Sequence, residues 1–79
     1  MKSTNVVDHV CKHLKPCRLR LGLTQDAIAD MSDVSTWIIS AIENKGYKPE
    51  PWLARKIFEA LVRAADEYDQ LAEKITFTG

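Results

Sequence analysis

A chain of 79 residues has room for one small hydrophobic core, and residues 1–79 read as a single domain. At 46% hydrophobic it can bury that core, and its formal net charge of zero argues against indiscriminate nucleic-acid binding. No apolar run approaches the roughly 18 residues of a membrane span, and Met1-Lys-Ser-Thr-Asn5 does not lead into a signal-peptide core, so a cytoplasmic protein is expected.

In chain order, Asn5-Val-Val-Asp8 resembles a capping box and predicts a helix from there through Leu14. Pro16 removes an amide donor and crowds the preceding turn, so the helix either kinks there or ends and restarts. The helical spacing of Leu14, Cys17 and Leu21 favours continuation with a kink, stopped at Gly22. On this segment His9, His13 and Cys17 recur at intervals of four, a stripe that with Cys11 raises a metal or redox-sensing role. Pro16 distorts the stripe and no fourth ligand of the usual type follows, so no metal is expected. Cys11 and Cys17 sit on different faces, which disfavours a disulfide between them and suits a reducing compartment.

Thr24 and Ser35 are good N-caps. They predict a helix over Gln25–Met31 burying Ile28 and Ala29, and a second over Thr36–Asn44 burying Ile39 and Ile42. The link Met31-Ser-Asp-Val34 carries Asp33 where a positive φ is tolerated. Two capped helices so joined form a helix-turn-helix, a unit commonly used to place its second helix in the DNA major groove. Tyr47-Lys-Pro-Glu-Pro51 is a stiff connector, and Pro51 suits the first position of a fourth helix. Trp52, Leu53, Ile57 and Leu61 form its apolar stripe, continued by Ala64, Ala65, Tyr68, Leu71, Ala72 and Ile75. Residues 51–75 form one long helix or break near Ala64, with Thr76–Gly79 frayed or a short strand. The class is all-α.

Charge is unevenly spread. Residues 1–20 carry five bases and one acid, residues 21–44 four acids and no base, residues 45–56 four bases and one acid, and residues 57–79 two bases and five acids. A neutral total therefore contains two basic segments flanking the helix-turn-helix, and one face can be basic while the back is acidic. With Ile39 and Ile42 inward, the third helix presents Thr36, Trp37, Ser40, Ala41 and Asn44, with Ile38 partly outward. Trp37 suits thymine methyl groups or a sugar-phosphate edge, or else folds back on Tyr47. Thr36 and Ser40 can donate to a phosphate or a base. Asn44, Lys45, Tyr47 and Lys48 suit phosphate anchoring. Arg55 and Lys56 extend this set or face solvent, while Asp26, Asp30 and Asp33 oppose it unless turned away or paired.

Arg18, Gly22-Leu-Thr-Gln25, Ile28-Ala29, Val34-Ser35, Ile39, Ile42-Glu43, Pro49, Ile57 and Leu61 together resemble the Cro/C1-type (Xre) helix-turn-helix family over roughly residues 14–61. The resemblance implies a lambda-repressor-like bundle of four to five helices. It implies a phage or prokaryotic transcription regulator, mainly of the repressor kind, binding double-stranded DNA at a palindromic operator as a homodimer. Thr36, Trp37 and Ala41 match base-reading positions, with Ser40 beside them. Gln25 matches a phosphate-contacting position, and Arg18 with Glu43 an internal ion pair. Where family members often carry Gln, Arg or Asn at the reading positions, this chain has a hydroxyl, an indole and a methyl. The C-terminal helix over 62–75, with Tyr68, Leu71 and Ile75, either dimerises or packs on the first helix. No nucleophile, base and orienting group come together, so neither catalysis nor a cofactor is expected. The rival reading is a protein-interaction module, antitoxin- or adaptor-like, that holds a partner with Trp37 and Ile38.

Overall fold

A computed structural model describes residues 5–78, with side chains for residues 5–70. The order is α1 (Val6–Arg20), α2 (Gln25–Ser32), α3 (Thr36–Lys45) and α4 (Pro51–Thr78), and no strand occurs among the described residues. Each helix start has a local cause. Asn5 Oδ1 accepts from the Val7 amide at 2.8 Å, Thr24 Oγ1 from Ala27 at 3.0 Å and Ser35 Oγ from Ile38 at 3.3 Å. Only the asparagine half of the expected capping box forms; Asp8 instead faces Lys48 across 4.0 Å.

Pro16 lies inside an otherwise continuous α1. Its missing amide leaves the Lys12 carbonyl without a helical partner, and both residues lie on an exposed flank where water can serve that oxygen. Asp33 ends α2 at φ 59°, and the Val34 amide reaches back to the Ala29 carbonyl at 3.0 Å. This six-residue closure lets the chain reverse in three residues. Gly46 ends α3 at φ 71°, in the left-handed region that suits glycine. α4 runs unbroken; Thr76–Thr78 belong to it, and neither a break near Ala64 nor a terminal strand forms. Its 28 residues match the 42 Å longest extent of the molecule, as a rise of about 1.5 Å per residue requires.

The core joins Val10 and Leu14 of α1, Ile28 and Ala29 of α2, Ile39 and Ile42 of α3, and Ala54, Ile57, Ala60 and Leu61 of α4. Leu14, Ile28, Ile39, Ile57 and Val10 are fully enclosed. Each such burial contributes about 1.5–3 kcal/mol, more than any surface contact described below. Trp52 departs from the expected stripe. It is 62% exposed, with the Lys56 ammonium 5.7 Å from its ring centre. Leu53 takes the inward position, and Trp52, one step round the helix, falls at the rim where stacking on a cation is available. α1 and α2 both pack on α4 and on α3, so α3 is gripped from one side only. No helix among the described residues is long and apolar enough to cross a membrane.

Candidate nucleic-acid interface

The open side of α3 begins at Trp37. Its indole is 65% exposed, yet it rests on the Tyr47 ring with centroids 6.1 Å apart and planes tilted by 53°. This spacing is favourable for aromatic pairs, so the ring is supported without being enclosed. The ring thus rests on Tyr47, as one of the two sequence readings expects, and keeps an open face. Below it Asn44 Nδ2 donates to Ser40 Oγ at 3.2 Å, one turn apart. Ala41 is not part of this surface: it is 4% exposed. After Gly46 the chain doubles back and the Tyr47 amide donates to the Ala41 carbonyl at 3.2 Å, closing the end of α3. Ile38 turns inward enough to pack against the core.

The N-terminal tip of α3 is tied to α2. Thr36 Oγ1 donates to Asp26 Oδ1 at 2.7 Å. Neighbouring Gln25 is not splayed toward solvent as a phosphate ligand would be. Its Nε2 donates inward to Glu43 Oε1 at 3.0 Å. What Gln25 retains for a phosphate is the second Nε2–H and its backbone amide at the positive end of α2.

Glu43 is the centre of a buried network. Its side chain has no solvent exposure, and Arg18 donates to it through Nε at 2.7 Å and Nη2 at 2.9 Å. Arg18 Nη1 donates to the Leu23 carbonyl at 2.8 Å. The α1 end, the α1–α2 loop, the α2 start and the α3 end are thus held at one point. Burial pushes the Glu43 carboxyl up, but hydrogen bonds from Arg18 and Gln25, with the Arg18 and Lys15 charges, outweigh it and leave Glu43 below its ordinary range. The same hydrogen bond to Glu43, against the opposing effect of burial, holds the Arg18 guanidinium above its own.

Cations lie around the C-terminal end of α3. Asn44, Lys45, Tyr47 and Lys48 are all exposed. Lys48 is loosely engaged with Asp8, both side chains largely in solvent, so exchanging that partner for a phosphate costs little. Lys56 is occupied at the α2–α3 turn, 3.4 Å from the Asp33 carbonyl and 3.6 Å from its carboxylate. Arg55 lies elsewhere: with Val6, His9, Phe58 and Glu59 it lines a cavity of about 420 Å³ between α1 and α4.

The α1 histidines and cysteines are not gathered into a site. The His9 and His13 rings lie 4.5 Å apart and tilted by 42°, Cys11 Sγ points to the Tyr47 carbonyl at 3.7 Å, and Cys17 packs on the core. Among the described residues no group of three or more potential ligands could hold a metal ion. Tyr68 is half-exposed beside a groove of about 220 Å³ that includes Leu21, Leu23, Met31 and Ala64. The side chains of Leu71 and Ile75 lie outside the described residues.

Sequence reasoning missed the Asp26–Thr36 bond and the inward turn of Gln25. The available signal was that Asp26 and Gln25 open α2 while Thr36 and Glu43 lie on the helix it packs against. In comparison with known proteins, the helix-turn-helix family profile matches residues 14–62, well over half of the chain. No curated protein and no solved structure matches it. Two capped helices around a left-handed Asp33, an exposed face on the second, and this match over most of the core establish that the chain belongs to the Cro/C1-type helix-turn-helix family of DNA-binding regulators.

Proposed function

We propose that the protein is a sequence-specific transcriptional regulator, a repressor that binds a palindromic operator in double-stranded DNA as a homodimer and occludes a promoter. α3 enters the major groove, Trp37, Ser40 and Thr36 face base edges, and Asn44, Lys45, Tyr47 and Lys48 grip phosphates. The observation carrying this reading is the open side of α3: an exposed, Tyr47-supported indole adjoining a run of exposed cationic and polar groups. Dimerisation would set two half-sites about 34 Å apart, with the Tyr68 surface of α4 as the contact.

Selection from random duplexes, followed by gel retardation on the enriched sequence and on the gene's upstream DNA, tests this. Trp37→Ala and Lys48→Ala should both weaken binding. Only the first should blur sequence preference, and the second should lower the salt slope by about one. Sedimentation with bound DNA should give two chains per site. Retained preference in a Trp37→Ala, Thr36→Ala double variant contradicts the assignment of α3 as reader.

A second reading is a protein-interaction module built on the same fold. It is favoured by two indoles exposed beyond 60%, Trp37 at 65% and Trp52 at 62%, and by exposed Asp26, Asp30 and Asp33 around the turn. Failure of selection to enrich any DNA would favour it.

A further inference from the structure

The carboxylate of Asp26 stands at the tip of α3, where a capping role does not explain it. Thr24 already serves the Ala27 amide of α2, and Ser35 serves the Ile38 amide of α3. Asp26 instead accepts a hydrogen bond from the Thr36 hydroxyl at 2.7 Å, across ten residues of chain and between two helices. That bond occupies Oδ1 of an exposed residue and leaves Oδ2 without a hydrogen-bond partner among the described residues. It also spends the only proton of the Thr36 hydroxyl, whose oxygen keeps accepting capacity alone. Arg18 is committed to Glu43, and Lys56 to Asp33. Among the described residues Asp26 has no cationic partner.

The Asp26–Thr36 pair therefore presents acceptors and no side-chain donor of its own, beside the first amides of α3, the Trp37 indole N–H and the Ser40 hydroxyl. In the major groove guanine offers N7 and O6, both acceptors, and thymine offers the O4 acceptor, so both are repelled. Adenine sets an acceptor, N7, beside its N6 amino group. Cytosine alone offers an amino donor, N4, without an adjacent acceptor of its own. Resting on the DNA-binding function above, we propose that Asp26, oriented by Thr36, is a specificity-determining residue that accepts from the N4 amino group of a cytosine in each half-site. The carboxylate repels phosphates everywhere and is compensated only where that cytosine stands. Its effect is therefore to raise discrimination rather than affinity.

The experiment uses the full chain and duplexes bearing its selected site, read by fluorescence anisotropy. Asp26→Asn is nearly isosteric, and circular dichroism checks its fold. An amide donates as well as accepts, so this variant should tighten on all DNA yet lose about tenfold of its discrimination against guanine at one position of the half-site. N4-methylcytosine at that position, whose methyl replaces the groove-facing N–H, should weaken the natural chain about tenfold. The same probe should leave Asp26→Ala unchanged. A uniform gain in affinity with an unaltered base profile would overturn the proposal while leaving DNA binding intact, as would a selected half-site with no required cytosine. If no sequence is enriched at all, the DNA-binding function falls and this inference with it.

Discussion

Arg18 and Glu43 meet side-on in a bidentate pair, 2.7 Å through Nε and 2.9 Å through Nη2, with the Glu43 side chain wholly out of solvent. Fork geometry of this kind satisfies both carboxylate oxygens at once. Arg18→Met leaves the carboxylate buried with Gln25 as its remaining side-chain donor. Urea unfolding should show a loss of about 3–5 kcal/mol. Arg18→Met combined with Glu43→Leu should recover much of that loss, because the uncompensated charge is then gone.

The depressed Glu43 carboxyl makes stability pH-dependent with a definite sign. Unfolded, a glutamate titrates near about 4.3. Folded, it titrates lower, so the unfolded chain binds more protons between the two values and stability rises with pH across that window. Glu43's contribution should be complete above about pH 5 and fade as pH falls through its folded value. Thermal midpoints of the natural chain and Glu43→Gln from pH 2 to 7 should converge at the acid end and separate above it.

Asp33 holds φ 59°, a conformation that costs an L-residue about 1–2 kcal/mol and glycine little. Its carboxylate pair with Lys56 is a surface contact at 3.6 Å and offsets less than that. Asp33→Gly should raise the urea midpoint and Asp33→Val should lower it. Equal midpoints for the two variants would contradict the assignment of strain to this turn.

Burial pushes the Cys11 thiol above its ordinary range, against the lowering influence of the Lys48 charge and with a smaller raising influence from Asp8. The thiolate is the reacting form, so Cys11 should alkylate more slowly at pH 8 than in the urea-unfolded chain. Lys48→Ala should slow it further and Asp8→Asn should speed it. Mass spectrometry of peptide-resolved iodoacetamide labelling distinguishes these rates from those at Cys17.

Helix starts and the inward faces were legible in the sequence because both are local. Thr24 and Ser35 cap amides three residues on, and Ile28, Ile39, Ile42, Ile57 and Leu61 recur at the helical period. Features that depend on a second element were not. Periodicity cannot tell that Trp52 stops at the rim while Leu53 enters the core, since the two differ by one step round α4. Ala41 is buried, although the outward face drawn from Ile39 and Ile42 includes it. Gln25 looked like a free ligand until its partner, Glu43, was brought to it by packing of α3 on α2. The Arg18–Glu43 pair came from resemblance alone; no local rule joins residues 25 apart.

The holds on α3 are unequal along its length. α1 holds the far end through the buried Arg18–Glu43 pair and touches the connector beyond it only loosely, through Cys11 and Asp8 on Tyr47 and Lys48, with the missing rung at Pro16 between the two contacts. The near tip is tied by Thr36 to Asp26. α3 is thus anchored at both ends, more strongly at its C-terminal root, with Ile39 and Ile42 seated in the core between them. On the function proposed above, a duplex would therefore meet a reader whose tip and root are both fixed to the bundle.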